Sequence, residues 1–224
     1  MVLIMTILTI VYNDQTNYYG GNIKADKGLS YFIDGENLLF DTGKNGKILL
    51  DNMDALGVDV NSIKKIVISH DHDDHTGGLF DLLELNPNID VYGLSSFSSE
   101  LLKNIEKMAN LITIEEPTYI SEKIFTTGPL GTSIKEQSLA IKTDEGFLIL
   151  TGCAHPSISQ IFKVVSKKGS IFGVIGGIHS PNETDLFLLK NLPFLAPMHC
   201  TPINEIEKIS SNIKKIGVGN VIFL

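Results

Sequence analysis

The segment SHDHDDHTGGL, residues 69–79, sets three histidines and three aspartates in six consecutive positions, His70 to His75. Imidazole nitrogens and carboxylate oxygens are the donors that zinc, iron or manganese accept, so a run this dense points first to metal binding. In the pattern H-x-H-x-D-H, alternate residues of an extended segment point the same way. His70, His72 and Asp74 can then face one centre while His75 reaches a neighbouring one, and Asp71 and Asp73 point elsewhere. No Cys-x-x-Cys pair accompanies them, which disfavours a closed structural zinc site.

The other three histidines share a second pattern. CAHPSI, GIHSPN and MHCTPI put His155, His179 and His199 one to three residues before a proline. Such a proline suits the first position of a helix, and it holds the preceding residue extended. Each histidine is therefore expected on a strand-to-helix turn. In a parallel or mixed sheet such turns lie along one edge, so all six histidines of the chain are expected to line one cleft.

The elements that must position these residues read as two similar halves of one domain over residues 1–224. The apolar start MVLIMTILTIV has no basic residue before Lys24 and no small-residue cleavage site after it, so it reads as a buried strand over Thr6–Val11 rather than a leader. A hairpin follows in LSYFIDGENLLFDTG with its turn at Asp34-Gly35, then a helix over about Gly46–Leu56. IKKIVIS, residues 63–69, is a β-branched strand ending at the histidine loop, and Gly77-Gly78 is expected to let the backbone turn sharply into a helix over Leu79–Leu85. The second half has a hairpin in SLAIKTDEGFLILTG turning at Glu145-Gly146. Strands follow at Ile171–Gly176, Pro193–Pro197 and Val218–Leu224. The helix after Pro202 is expected to line up Ile203, Ile206, Ile209, Ile213 and Ile216 on one core face.

Composition narrows the partners. A net charge of −8 argues against nucleic acid or an anionic membrane, which need a basic stripe. All 18 basic residues are lysine, so any phosphate on a small-molecule substrate is held by lysine, backbone amides or metal and not by a guanidinium fork. The two cysteines, Cys153 and Cys200, each lie within two residues of a histidine. That spacing fits unbridged thiols in a cytoplasmic protein.

SHDHDDHTGGL resembles the signature of the metallo-β-lactamase superfamily. KGLSYFIDGENLLFDTG, GCAHPSI, GGIHS and MHCTP are similar to segments of one branch, named after 7,8-dihydropterin-6-methyl-4-(β-D-ribofuranosyl)aminobenzene-5′-phosphate synthase. The resemblance implies an α/β fold, an αββα sandwich of two mixed sheets face to face with helices outside. It also implies a binuclear centre in which His70, His72 and His155 hold one divalent transition-metal ion and Asp74, His75 and His199 hold a second. Zinc is the expected metal, with iron or manganese as alternatives. Asp41, in FDTG, matches the aspartate that braces the ligand loop through hydrogen bonds. The bridging aspartate of dinuclear members has no clear counterpart; Cys153 stands there, as a bridging thiolate or a packed neighbour. His179 has no ligand role in that pattern and reads as a substrate contact or proton donor. The expected activity is hydrolysis of an ester, lactone or phosphoester, with Asp74 and His179 as catalytic groups. A synthase-type transfer and a non-catalytic, ligand-sensing protein are the alternatives.

Overall fold

Short runs rich in Ile, Val, Leu and Phe, broken by glycine and polar turns, build two mixed sheets. The computed structural model describes residues 6–17 and 22–224; residues 1–5 of the apolar start lie outside them. The described residues up to Gly93, with Phe97–Thr113 and Ile216–Leu224, make one compact unit. Leu94–Ser96 and Ile114–Lys215 make the other.

The first sheet is built from β1 (Ile7–Tyr12), β2 (Ser30–Asp34), β3 (Leu38–Phe40), β4 (Lys65–Val67), β5 (Asp90–Leu94), β6 (Asn110–Ile114) and β13 (Val221–Phe223), in the order β13-β1-β2-β3-β4-β5-β6. Strands β1 to β3 form an antiparallel meander, and β3, β4 and β5 run parallel. Tyr31, Ile33, Leu38, Leu39 and Phe40 are all inaccessible to solvent. Strands read as continuous apolar runs, not alternating ones, when both faces of a sheet are covered. Helices α1 (Gly46–Ala55) and α3 (Leu79–Leu85) bury Leu49, Met53, Leu79 and Leu82 in this unit.

The second sheet runs β12-β11-β10-β9-β8-β7, where β7 is Thr118–Tyr119, β8 Ile124–Thr126, β9 Leu139–Thr143, β10 Gly146–Thr151, β11 Ile171–Gly177 and β12 Phe194–Met198. Its plan echoes the first: an antiparallel hairpin, β9-β10, then two further parallel strands. Helices α5 (Ile158–Val165) and α6 (Glu183–Leu189) supply Ile158, Ile161, Val165 and Leu189 to a core with Phe125, Ile149, Val174 and Leu195. Each such buried aliphatic side chain contributes about 1.5–3 kcal/mol by leaving water. Phe97 and Phe125 are buried packing residues, whereas Tyr119 is exposed, its ring 5.1 Å from that of Phe125.

Several expectations change. Strand β13 does not belong to the second half: it pairs antiparallel with β1 and closes the edge of the first sheet. The helix after Pro202, α7, covers only Ile203–Glu207. The hydroxyl of Ser210 then accepts the amide of Asn212, a local alternative to helix, and Ile213 forms a bridge with Leu195 at the edge of β12. Ile206 is buried, while Ile209 and Ile213 pack partly buried against the same core. The first hairpin turns over Gly35–Asn37, with positive φ at both ends, and the second over Asp144–Glu145. The prolines stand earlier than expected: Pro156 and Pro181 precede the caps Ser157 and Asn182, and Pro202 is itself the cap of α7. The strand-to-helix placement nevertheless holds. His155, His179 and His199 follow β10, β11 and β12, which are parallel, so their turns share one edge of the second sheet.

Candidate metal centre

In the first unit the histidine loop leaves β4 and bends at once. Asp73–Thr76 is a single helical turn, α2, capped by His72, so Asp74 and His75 sit on a helix and not on the extended segment the alternation suggested. His70 Nε2 and His72 Nδ1 are 3.1 Å apart. Two nitrogens bound at about 2.05 Å to one tetrahedral ion are separated by roughly 3.3 Å, so this pair has the spacing of two donors to a common cation. Asp74 Oδ1 lies 3.9 Å from His75 Nε2. Asp71 and Asp73 turn away: Asp71 accepts the amide of Ser98, and Asp73 pairs with Lys44 at 3.3 Å.

Asp41 organises the loop from beneath. Fully buried, it accepts the Ser69 amide at 2.7 Å, the Ser69 hydroxyl at 2.8 Å and His75 Nδ1 at 2.7 Å. A carboxylate on Nδ1 fixes the ring's tautomer and leaves Nε2 as the lone-pair donor. Burial pushes the Asp41 carboxyl above the usual carboxylate range, and His75 and the Ser69 donors oppose that shift. The backbone at Asp41 is left-handed, φ 59°, and Thr42 grips the loop's other side through its amide and hydroxyl, both donated to the His75 carbonyl. The doubled glycine acts by close approach, not by a special turn: both residues have ordinary right-handed φ. A Cβ on Gly77 would stand 2.0 Å from the Lys44 carbonyl oxygen, and one on Gly78 2.4 Å from that of Thr42. Lys27, with most of its side chain in water, pairs with the buried Asp74 at 3.1 Å.

The second unit has a brace that sequence reasoning missed. Glu136, inaccessible to solvent, accepts the amides of Cys153, Ala154 and His155 at 2.8–2.9 Å and His155 Nδ1 at 2.8 Å. Successive amides point at one anion when a residue between them is left-handed, and Ala154 has φ 54°. Lys-Glu-Gln-Ser reads as polar surface in the sequence, so only the fold exposes this role. His199 also adopts left-handed φ, 50°, in its turn. The Thr201 hydroxyl accepts the Ile178 amide and donates to the Met198 carbonyl, tying the turn after β12 to the one after β11. Among the non-glycine described residues with positive φ, all but Asn37 lie in these ligand and brace turns: Asp41, Ala154, Ser157 and His199. Strain of this kind persists where surrounding bonds hold it, and it concentrates at functional sites.

His179 is exposed; its amide donates to the Cys153 carbonyl and its ring lies 5.3 Å from that of His155. Cys153 is buried, Cys200 half-buried, and neither is in a disulfide. A hydrogen bond with Cys153 lowers the pKa of the Cys200 thiol against the opposing effect of burial, with His199 adding to the lowering. The His and Cys side chains that could hold a metal ion are His70, His75, Cys153, His155 and His199. Their donor chemistry suits a divalent transition metal, and the carboxylate-oriented His75 and His155 fit that use. No helix among the described residues is long and apolar enough to cross a membrane.

Comparison with known proteins bears on the fold and the family. A 7,8-dihydropterin-6-methyl-4-(β-D-ribofuranosyl)-aminobenzene-5′-phosphate synthase of Methanocaldococcus jannaschii is 27% identical, with 95% of each chain covered. A solved structure described as Tm1679, a metal-dependent hydrolase of the β-lactamase superfamily, superposes with a TM-score of 0.80 at 23% identity, covering 98% of this chain and 99% of that one. YhfI of Bacillus subtilis, a metallo-β-lactamase fold protein, gives 0.72 at 14% identity with 98% and 99% covered. These likenesses show the fold: two mixed sheets with helices, as the sequence signature implied. The model of the metallo-beta-lactamase superfamily matches residues 23–168, and the chain belongs to that superfamily.

Proposed function

We propose that the chain is a metal-dependent hydrolase of a small-molecule ester, lactone or phosphoester. In this reading His70, His72 and His155 hold one divalent ion and Asp74, His75 and His199 hold a second, with zinc as the metal and iron or manganese as alternatives. The observation that carries it is the pair of buried carboxylates, Asp41 and Glu136, each accepting Nδ1–H of a candidate ligand histidine. A histidine that only fills space needs no such carboxylate; one that offers Nε2 to a cation does.

A divalent ion bound by these residues would lower the pKa of water to about 7 and so supply a nucleophile at neutral pH. Asp74, 3.1 Å from the Lys27 ammonium, would orient the attacking group and accept its proton. His179, exposed and with its ring 5.3 Å from that of His155, would hand a proton to the leaving group. The partner is a small molecule in the cytoplasm; a net charge of −8 supports excluding nucleic acid.

Product formation by metal-replete and metal-free protein on a panel of esters, lactones and phosphoesters tests the reading. Activity is expected only with metal, rising with pH through one apparent pKa near about 7. Asp74→Asn should abolish most of it, and His179→Ala should cost roughly 10 to 1000-fold. On dialysis against a chelator the Asp74, His75 and His199 ion should leave first, and Cys153→Asp should retain it better. Equal rates with and without metal would remove the hydrolase. Formation of a pterin–ribofuranosylaminobenzene conjugate, with no hydrolysis on the panel, would instead establish a synthase-type transferase, the second reading, which the Methanocaldococcus relative favours. A metabolite that raises the melting temperature with no product formed would establish a sensor.

A further inference from the structure

Cys153 and Cys200 follow β10 and β12, two strands that do not touch because β11 runs between them. The last register pairs are Thr151↔Gly176 and Gly177↔Met198, so each cysteine lies two residues past its strand, over the C-terminal end of β11. The residue beneath them is Gly177. A Cβ added there would stand 2.2 Å from the Gly152 carbonyl oxygen, 2.9 Å from Cys200 Sγ and 3.0 Å from Cys153 Cα, so both cysteines crowd the same side of Gly177. Their side chains are in hydrogen-bond contact. A disulfide would bring the two sulfurs to roughly 2.05 Å.

We infer that Cys153 and Cys200 are a redox-reactive thiol pair, converted by a small-molecule disulfide into a reversible intramolecular disulfide that staples the turn of His155 to the turn of His199. Cys200, half-buried, meets the reagent first; Cys153 is buried and acts second. The Cys200 thiolate attacks one sulfur of the reagent, forming a mixed disulfide and expelling one small thiol. The Cys153 thiolate then attacks Cys200 Sγ and expels the other half. One protein disulfide forms and one reagent disulfide breaks. The reagent takes up two electrons, and the two protein thiol protons end on the two released thiols. Both sulfurs are in place whatever reaction the protein catalyses, so the inference stands apart from the proposed hydrolase.

Oxidised glutathione applied to the metal-free, full-length protein tests it, read by intact mass and by thiol titration in denaturant. The wild-type chain should go from two thiols to none and lose the mass of two hydrogens. It should carry no glutathione, and a reducing dithiol should reverse the change. Cys153→Ser should keep one glutathione on Cys200, because the thiol that expels it is gone, and Cys200→Ser should stay unmodified. A wild-type chain that retains a stable glutathione adduct, or that keeps both thiols under conditions in which Cys153→Ser is modified, would overturn the pair. So would persistence of both wild-type thiols together with an unmodified Cys200 in Cys153→Ser. A parallel arm with zinc-loaded protein separates the two ideas: protection by zinc supports Cys153 as a donor, while oxidation at an unchanged rate removes that donor role and leaves the thiol pair intact.

Discussion

The two ligand-bearing regions solve one problem with opposite distributions of residues. In the first unit the candidate donors sit within six consecutive positions, and a single aspartate from the adjoining turn holds the loop. In the second they are split between the turns after β10 and β12, and the brace, Glu136, comes from ahead of β9. Both arrive at the same local device: a buried carboxylate that accepts backbone N–H from the loop together with a histidine Nδ1–H. A compact motif and a dispersed one can therefore orient imidazoles equally well; what they share is the brace, not the spacing.

Removing the braces puts that equivalence to its hardest test. Asp41→Ala strands the Ser69 amide, its hydroxyl and His75 Nδ1, and Glu136→Ala strands three consecutive amides and His155 Nδ1. Each should cost about 3–5 kcal/mol in urea unfolding, as breaking a buried charged network does, with the larger loss at Glu136. A cost under about 1 kcal/mol at either position would show that the two devices are not alike. The paired glycines sharpen the comparison at lower energy. Gly77→Ala drives a methyl against the Lys44 carbonyl at 2.0 Å, and Gly177→Ala against that of Gly152 at 2.2 Å. Each should lose about 1–3 kcal/mol of stability by overpacking, and alanine tolerated at one but not the other would mark the looser turn. The smallest effect is expected at Lys27→Ala. Its side chain is 61% exposed, so the ion pair with Asp74 is screened by water, and the change in unfolding free energy should stay within about 1 kcal/mol.

The contrast also explains what could be read in advance. The first loop was legible because its donors are neighbours in the chain, and its strand, glycines and following helix sit where periodicity put them, with α3 at Leu79–Leu85. Even there the alternation misjudged local geometry, since a helical turn at Asp73–Thr76 replaces the extended segment. Asp41 was reached through its FDTG context. Glu136 was not, because its partners are seventeen to nineteen residues away and backbone amides leave no trace in a sequence. The isoleucines after Pro202 kept helical spacing while the chain left the helix at Glu207, so periodicity there reported burial rather than conformation. The placement of β13 depends on a pairing partner at the other end of the chain, which no local window contains.

That last pairing has a consequence for how the protein is made. The Thr16 hydroxyl donates to the Val218 carbonyl, 202 residues away, and β13 covers the outer edge of β1. A nascent chain emerging from the ribosome must therefore carry β1 with one edge unsealed until nearly everything between has been synthesised, at roughly 5–20 residues per second. During that interval an apolar, hydrogen-bond-hungry edge is open to any other extended chain nearby. A pairing closed between strands so distant in sequence is also intrinsically slow to form, because its loop-closure entropy precedes its contacts.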